Sequence, residues 1–393
     1  MKRRTLMSGI ALGGAVAAMP GIALAAPAAD DLAAIEGLVQ EYFSGRALRV
    51  THGGVSAGPV DLLVPSTRSF TQRQRSDHEQ LKSRRAVFGR FGGYERSQTK
   101  TTVLSVSGDA ARPLARVREE TTLYFVSPRA CGGKFTAYTV EHDVQFVRDG
   151  GVLRLDSAQF ISSDYRDLPE TQFLDAVPAK FRGPGPAKGS GIKPGTGEPP
   201  RGPKVVAGRT FGDRTSANLQ VAYDYSRMIE YAIRYGLNYD PSALYYSDDC
   251  TAFISECMNY GFWQHTGSWP GQDRTSNSQW FRGSYTWTTT YSWGGAENWY
   301  WFATGSGRTY ILSELDWMVP SDVLQWNWPK GNPPDDILDH TQICTDIYID
   351  PVLGLGDQYM TQHSSNHYDY VNRSLNYILS YQTWTYQLYA HRT

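Results

Sequence analysis

A stretch rich in glycine and proline near the middle of the chain most constrains what it can fold into. Between Gly183 and Pro203, seven of the 21 residues are Gly and six are Pro. Such a composition supplies almost no side chain that could enter a core, and it behaves as an extended linker. We therefore predict two domains, residues 30–180 and residues 207–393, connected by a linker at 181–206. A chain of 393 residues is long enough to form two hydrophobic cores.

The first 25 residues have the character of an export signal peptide. Arg3 and Arg4 precede an apolar run, rich in Gly and Ala, that continues to about Ala25. This pattern resembles the twin-arginine signals that export folded proteins. A membrane anchor is less favoured, because the run is interrupted by Gly and Pro and is shorter than the ~20 residues that a span requires. We expect residues 1–25 to be removed, and the mature protein to be secreted, extracytoplasmic and without a transmembrane segment.

The overall composition limits the classes of partner. The 38 basic residues balance the 39 acidic ones, so the charge gives no reason to expect nucleic acid. Four cysteines are too few to hold a secreted fold together by disulfides, although one bond, for example between Cys257 and Cys344, stays open. All 11 Trp lie beyond residue 260, so the C-terminal domain has an aromatic content that can fill a core or line a cleft.

The N-terminal domain is predicted to contain one or two helices followed by a meandering antiparallel sheet. Apolar residues recur at helical spacing between Asp30 and Tyr42. Several alternating runs follow, and the last two are separated by Arg-Asp-Gly-Gly at 148–151, a hairpin signal. This order predicts an α+β accessory domain with a curved sheet, similar to domains of the nuclear-transport-factor-like kind. His142 is isolated in a predicted strand, and we interpret it as structural.

One segment of the C-terminal domain indicates chemistry. Asp249 and its neighbours can cap a helix whose apolar face includes Phe253 and Met258, which places Cys250 in the first turn. The positive end of the helix dipole favours a thiolate there, so we expect the pKa of Cys250 to lie below that of an ordinary thiol. The same turn offers a backbone N–H as an oxyanion donor. The alternative is an inert, buried cysteine.

A base for this nucleophile follows further along the chain. His340 opens a predicted strand directly after a loop, and alternation places Gln342 on the same side of that strand. A third run, residues 357–364, offers Gln362 and His363 as groups that could hold the imidazole in one tautomer. Because these two are neighbours on a strand, only one of them can point at His340.

The order of these motifs resembles the "putative amidase domain" family, a branch of the papain-like superfamily that includes bacterial cell-wall peptidases. The family's pattern consists of a Tyr-Asp helix with a later Tyr-Ala, an Asp-Cys-Thr-Asn-Phe-Val-Ser-Gln segment, an aromatic Ser-Trp stretch, a strand that begins with His, and a His followed by a hydroxyl residue. The matching residues are Tyr223-Asp224, Tyr231-Ala232, Asp249-Cys250-Thr251, Phe253, Ser255, Tyr291-Ser292-Trp293, His340 and His363-Ser364. The chain departs from the pattern at Ala252, where Asn is usual, at Glu256, where Gln is usual, and at Tyr225, where Arg is common.

The resemblance implies a papain-like α+β domain, in which a helix with the nucleophile packs on an antiparallel sheet with the base. It implies an amide hydrolase, either amidase or peptidase, in which Cys250 attacks a carbonyl, His340 transfers the proton and His363 orients the imidazole. Trp293 and Trp299 are the aromatic residues that we expect to contact the substrate. The expected partner is a peptide or amide, with the peptides of bacterial cell walls as a candidate. No cofactor or metal is expected.

Two other functions compete with this hypothesis. Acidic and imidazole side chains gather between Asp335 and Asp369 and could bind a metal ion, but the sequence contains no His-Glu-x-x-His segment. The other members of this group are Asp336, Asp339, His340, His363 and His367. The second alternative is a binding module in which the thiol is inert and the aromatic residues hold a glycan or a peptide.

Overall fold

The computed structural model describes nine segments of the chain. These are residues 29–55, 64–89, 92–161, 169–171, 223–327, 337–349, 356–364, 368–380 and 387–393. The predicted export signal and the predicted linker both lie outside them. Within these segments, no helix combines the length and the apolar character that crossing a membrane requires.

Two long helices and four long strands form the N-terminal half. Their bounds are Ala29–Arg49 (α1), Arg68–Gly89 (α2), Tyr94–Gly108 (β1), Pro113–Phe125 (β2), Phe135–Asp149 (β3) and Val152–Phe160 (β4). The four strands pair antiparallel in chain order. The predicted hairpin is confirmed, because Gly150 and Gly151 have φ values of 57° and 84° and connect β3 to β4.

The C-terminal half contains five helices and six strands among its described residues. They are Tyr225–Tyr235 (α3), Cys250–Tyr260 (α4), Tyr291–Gly294 (α5), Ala296–Gly305 (α6), Tyr310–Ile311 (β5), Val323–Asn327 (β6), His340–Ile349 (β7), Gly356–Gln362 (β8), Asp369–Ser374 (β9), Leu375–Ser380 (α7) and Gln387–Arg392 (β10). The helix predicted around Cys250 and the strand predicted from His340 are both confirmed. The fold is thus mixed α and β with a large antiparallel sheet.

Strands from both halves are hydrogen-bonded into one ten-stranded sheet. Its order is β1-β2-β3-β9-β8-β7-β6-β10-β5, and β4 also pairs with β3. The two halves meet where Ala137, Tyr138 and Thr139 of β3 pair antiparallel with residues 369–371 of β9. One continuous sheet thus contains strands from both predicted domains, and the predicted domain boundaries stay a prediction.

Buried polar groups reinforce this junction. The carboxylate of Asp346 accepts hydrogen bonds from the backbone N–H groups of Cys131 and Gly133, each at 2.7 Å. Arg373 and Glu170, both fully buried, form an ion pair at 3.4 Å. Removing one partner of such a contact would leave the other as a buried polar or charged group without its hydrogen bond or counter-charge. These contacts therefore stabilise the junction between the two halves.

Two cores lie on opposite faces of the C-terminal part of the sheet. One contains residues of α3, α4 and α6 together with Val323 and Ile343. The other contains the adjacent residues Leu324 and Cys344, together with Tyr138 from the N-terminal half. Neighbouring residues of β6 and β7 thus face opposite sides, as strand geometry requires.

This separation also settles the disulfide that the sequence left open. All four cysteines are free thiols. Cys257 belongs to the core that contains α4, whereas Cys344 belongs to the core on the other face. The two sulfurs are therefore on opposite sides of the sheet, and the suggested Cys257–Cys344 bond is not formed.

Candidate active site

Cys250 is the first residue of α4 and is buried, with a relative exposure of 5%. Asp249 is the N-cap residue, but its side chain makes no capping hydrogen bond. The carboxylate instead contacts His363, at 2.7 Å between Oδ2 and Nδ1. The predicted position of Cys250 in the first turn is therefore correct. The side chain that holds Asp249 at the start of the helix is His363, the residue directly after β8.

The expected low pKa of the thiol is wrong for this conformation. Burial, reinforced by the nearby carboxylate of Asp248, raises the pKa of Cys250 to about 12. The hydroxyl of Thr251 and the backbone N–H of Thr341 act in the opposite direction but do not compensate. Desolvation disfavours the charged form of a buried thiol, so Cys250 is protonated at neutral pH in this state.

His340 is held by a hydrogen bond to a glutamine side chain. Its Nε2 lies 2.5 Å from Oε1 of Gln362. Nε2 of Gln362 donates to the carbonyl oxygen of Tyr368 at 3.1 Å, and Oε1 also accepts from Nε2 of Gln342 at 2.7 Å. These bonds fix the amide orientation of Gln362, so Nε2 of His340 must be the donor. In the neutral ring, Nδ1 then carries the lone pair that can accept a proton.

The first turn of α4 is attached to the first residues of β7. Oγ1 of Thr251 lies 2.8 Å from Oγ1 of Thr341, a fully buried contact. The residues that precede these two threonines are Cys250 and His340, so the candidate nucleophile and base flank one hydrogen bond. The thiol and the imidazole are nevertheless not hydrogen-bonded to each other in this conformation. The sulfur's own polar contact is with Oγ1 of Thr251, at 3.7 Å.

Strand alternation explains why the thiol and the imidazole remain apart. Thr341 faces α4, whereas His340 and Gln342 both bond to Gln362 on the other face of the sheet. The sulfur and the imidazole therefore make no direct contact in this conformation, and a side chain would have to move for them to meet.

The assignment of His363 as the residue that orients His340 is wrong. Both ring nitrogens of His363 are used elsewhere, since Nδ1 contacts Asp249 and Nε2 contacts the carbonyl oxygen of Tyr235, each at 2.7 Å. Its ring also stacks on Phe253, with centroids 4.0 Å apart. The alternative, Gln362, has the predicted contact with His340.

The structure shows a supporting residue that the sequence analysis did not assign. Gln342 donates to Gln362 and also to the hydroxyl of Tyr370, both at 2.7 Å. The alternation that places Gln342 on the same side as His340 was the available signal. What it could not reveal is that both side chains converge on one amide oxygen from the neighbouring strand.

The prediction that Trp293 and Trp299 contact the substrate is wrong, because neither side chain reaches the surface. Both have a relative exposure of 0%. Trp293 stacks on Trp280 with centroids 4.6 Å apart, and Trp299 stacks on Trp263 at 6.0 Å. These indoles form the core beneath α4 and α6, where their contribution is to packing.

The group of residues considered for a metal ion is described only in part. Asp335, Asp336 and His367 lie outside the described segments. Among the residues that are described, no set of three or more His, Cys, Asp or Glu side chains is arranged to hold a metal ion.

One part of the chain matches a known protein family. Residues 222–389 match a family model described as "Putative amidase domain". This match indicates an amide hydrolase in general. Among curated proteins, no match is found.

One similar solved structure is the Kfla4162 protein from Kribbella flavida. It is 17% identical, and the alignment covers 34% of this chain and 94% of that chain. The TM-score is 0.23, and a likeness at this level carries no argument about fold or activity.

Proposed function

We propose that the C-terminal half, residues 207–393, is a papain-like cysteine amidase or peptidase. Cys250 is the nucleophile, His340 is the base and Gln362 orients the imidazole. One observation carries the proposal: the hydrogen bond between Thr251 and Thr341 attaches the start of the cysteine helix to the start of the histidine strand. The match of residues 222–389 to an amidase-domain model supports the reaction class.

The proposed reaction has two stages. Sγ of Cys250 attacks the carbonyl carbon of an amide while its proton passes to Nδ1 of His340, and the backbone N–H of Cys250 stabilises the oxyanion. The imidazolium then gives the proton to the departing amine as the C–N bond breaks, which leaves a thioester. Water attacks the thioester with His340 again as base, so the acid is released and the thiol is restored.

This mechanism requires activation of the thiol. With a pKa of about 12, Cys250 is not a thiolate in the free protein at neutral pH. Catalytic hydrogen bonds are often absent in unliganded enzymes and form when substrate binds. We infer that substrate binding brings the sulfur and Nδ1 of His340 together, so that proton transfer occurs within the complex.

Export and the wall substrate form part of the same proposal. The Arg3-Arg4 sequence and the apolar run after it support a twin-arginine signal peptide over residues 1–25, and hence a secreted protein. An extracytoplasmic amide hydrolase would encounter the peptides of bacterial cell walls, which we propose as its substrate.

A second candidate is a binding module without turnover. The observation that favours it is the buried, protonated thiol, which makes no hydrogen bond with His340. In that case the protein would retain its ligands when Cys250 is replaced.

The test compares wild type with Cys250→Ala on peptide amides and on bacterial wall material, with release of amine as the measurement. We expect complete loss of turnover with the fold retained. Cys257→Ala, in the same helix and fully buried, is the matched control, and it should keep turnover. Equal turnover by wild type and Cys250→Ala would reject the mechanism.

Thiol alkylation separates the two candidates. With the exposed Cys131 changed to Ser, the alkylation rate of Cys250 by iodoacetamide should rise about tenfold per pH unit between pH 7 and 10, because the thiolate fraction does so below a pKa of about 12. A substrate analogue that brings the imidazole to the sulfur should make the rate level off near neutral pH. An unchanged profile with the analogue bound, together with absent turnover, would favour the binding module.

A further inference from the structure

A groove on the segment between α4 and α5 exposes three large aromatic rings. Tyr285 and Trp287 each have a relative exposure of 60%, and Trp269 has 44%. The groove has a volume of about 570 Å³, and its other lining residues include Ser268 and Ser284. Contiguous exposed apolar surface of this kind typically marks a binding site. It contrasts with Trp293 and Trp299, which are completely buried.

The three rings form an aromatic platform by packing on one another. Tyr285 and Trp287 are stacked, parallel to within 5°, with centroids 5.6 Å apart. Trp269 stands against Trp287 at 83°, with centroids 6.2 Å apart. The groove is therefore lined by the exposed faces and edges of a packed aromatic cluster.

Hydrogen bonds fix the loop that carries this platform. The carbonyl oxygen of Tyr285 accepts from the backbone N–H of Thr288 at 3.0 Å and from the hydroxyls of Thr288 and Thr289 at 2.8 and 2.9 Å. Arg274 donates to the carbonyl oxygens of Thr286 and Thr289, at 3.3 and 3.0 Å. A Cβ at Gly283 would lie 2.1 Å from Oγ1 of Thr288, so the loop packs closely. Aromatic rings that are held exposed by a rigid loop are preorganised for a ligand.

The electrostatic character of the groove favours an uncharged ligand. Arg282 is neutralised by Glu256, at 2.7 Å between Nη1 and Oε1. Burial lowers the pKa of His265, and the positive charges of Arg282 and Arg308 lower it further, so that its ring is neutral at pH 7. The remaining polar groups of the lining are hydroxyls, backbone amides and the two indole N–H groups.

We propose that this groove binds a neutral glycan, with pyranose rings placed on Tyr285 and Trp287. A pyranose ring has an apolar C–H face and a rim of hydroxyls, which matches flat aromatic faces surrounded by hydroxyls and backbone groups. A charged peptide or a phosphorylated ligand would find no unpaired counter-charge among the lining residues. This inference does not depend on the reaction assigned to Cys250.

The test is calorimetric titration of the full chain with two probes, the β-1,4-linked tetrasaccharides of glucose and of N-acetylglucosamine. At least one should bind, and Trp287→Ala should weaken that binding at least tenfold. Trp287→Phe should retain most of the affinity, because it keeps an aromatic face. Trp301→Ala is the matched control, since Trp301 is also exposed, at 40%, but lies on α6 outside the groove. Its affinity should match that of wild type within twofold.

Circular dichroism and urea midpoints establish that each variant is folded; if Trp287→Ala is not, Tyr285→Ala takes its place. Binding of neither tetrasaccharide at millimolar concentration would overturn the proposal, as would equal affinities of wild type and the groove variant. Preference for a proline-rich decapeptide over both sugars would also overturn it. Cys250→Ala should bind the sugar as wild type does, so failure of the hydrolase proposal and failure of this one give different results.

Discussion

Each half of the molecule buries a histidine against a carboxylate, and the two pairs differ in what surrounds them. In the N-terminal half, Nε2 of His142 lies 2.8 Å from Oε2 of Glu119. In the C-terminal half, Nδ1 of His363 lies 2.7 Å from Oδ2 of Asp249. The distances are nearly equal, so the difference between the pairs lies in their settings.

The Glu119 pair belongs to an internal polar network. The carboxylate also accepts hydrogen bonds from the hydroxyls of Thr121 and Tyr138, at 2.7 and 2.9 Å, and Phe43 packs against the ring of His142. A carboxylate with several donors inside a core is a structural element. The interpretation of His142 as structural agrees with this setting.

The Asp249 pair instead supports the start of the helix that carries the candidate nucleophile. Asp249 directly precedes Cys250, and His363 is bonded to the carbonyl oxygen of Tyr235 at the end of α3. The same chemical pair therefore joins α3 and α4 to the sheet beside the candidate site. A buried His–carboxylate pair therefore indicates function only through its neighbours.

Replacing Glu119 should produce the largest effect. Glu119→Ala leaves the buried His142 without its carboxylate partner and removes an acceptor from two hydroxyls, and we expect the free energy of unfolding to fall by about 4 kcal/mol. Urea denaturation followed by circular dichroism measures it. Glu119→Gln keeps part of the hydrogen-bond network and should lose clearly less unfolding free energy than Glu119→Ala. Equal losses would show that the hydrogen bonds kept by the amide contribute nothing to stability.

Replacing His363 should produce a smaller loss of stability together with an effect on activity. His363→Ala removes the imidazole partner of the buried Asp249, and we expect about 3 kcal/mol of unfolding free energy to be lost. Because Asp249 begins the helix of Cys250, kcat on a peptide amide should also fall. His142→Ala is the matched control and should leave kcat per folded molecule unchanged. A fall in kcat for both variants would contradict the difference between the two pairs.

The two pairs should also differ in how their contribution to stability depends on pH, and this is the smallest of the expected effects. Although burial of His363 opposes protonation, the hydrogen bond that its Nδ1 donates to Asp249 and the charge of Asp369 raise its pKa above the ordinary 6.5. Its contribution to stability is therefore complete below about pH 6.5 and is lost as pH rises through the raised pKa. His363→Gln should remove this alkaline decline.

Glu119 should respond in the opposite direction. Burial would raise its pKa, but the hydrogen bond and charge of His142, together with the hydrogen bonds from Thr121 and Tyr138, lower the pKa below its ordinary 4.5. Its contribution is present above about pH 4.5 and is lost as pH falls through the lowered pKa. Unfolding measured from pH 3 to pH 9 should show the acid decline absent in Glu119→Gln. A variant that removes the wrong limb of the curve would refute the assignment.

Much of the local structure could be predicted from the sequence, because it depends on neighbouring residues. Capping residues and apolar spacing located the helix that begins at Cys250, and a loop followed by alternation located the strand that begins at His340. Turn chemistry located the hairpin between β3 and β4. Each of these signals acts over a few residues, where propensity and hydrogen bonding are decided locally.

The tertiary structure alone decided which of these groups meet. The pairing of β3 with β9 joins residues more than 200 positions apart, and no local pattern encodes such a contact. The sequence offered two successive residues, Gln362 and His363, as the partner of His340, and His363 was the predicted one. The paired strands instead place Gln362 against His340 and His363 against Asp249. Trp293 is of a residue type that often contacts substrates, but the fold buries it completely in a core.

The sequence by itself thus determined the kinds of reactive group present, a cysteine at a helix start and a histidine at a strand start. Packing determined their state. The pKa of Cys250 is raised because other elements of the fold exclude water from it, and exclusion of water is a property of the assembled structure.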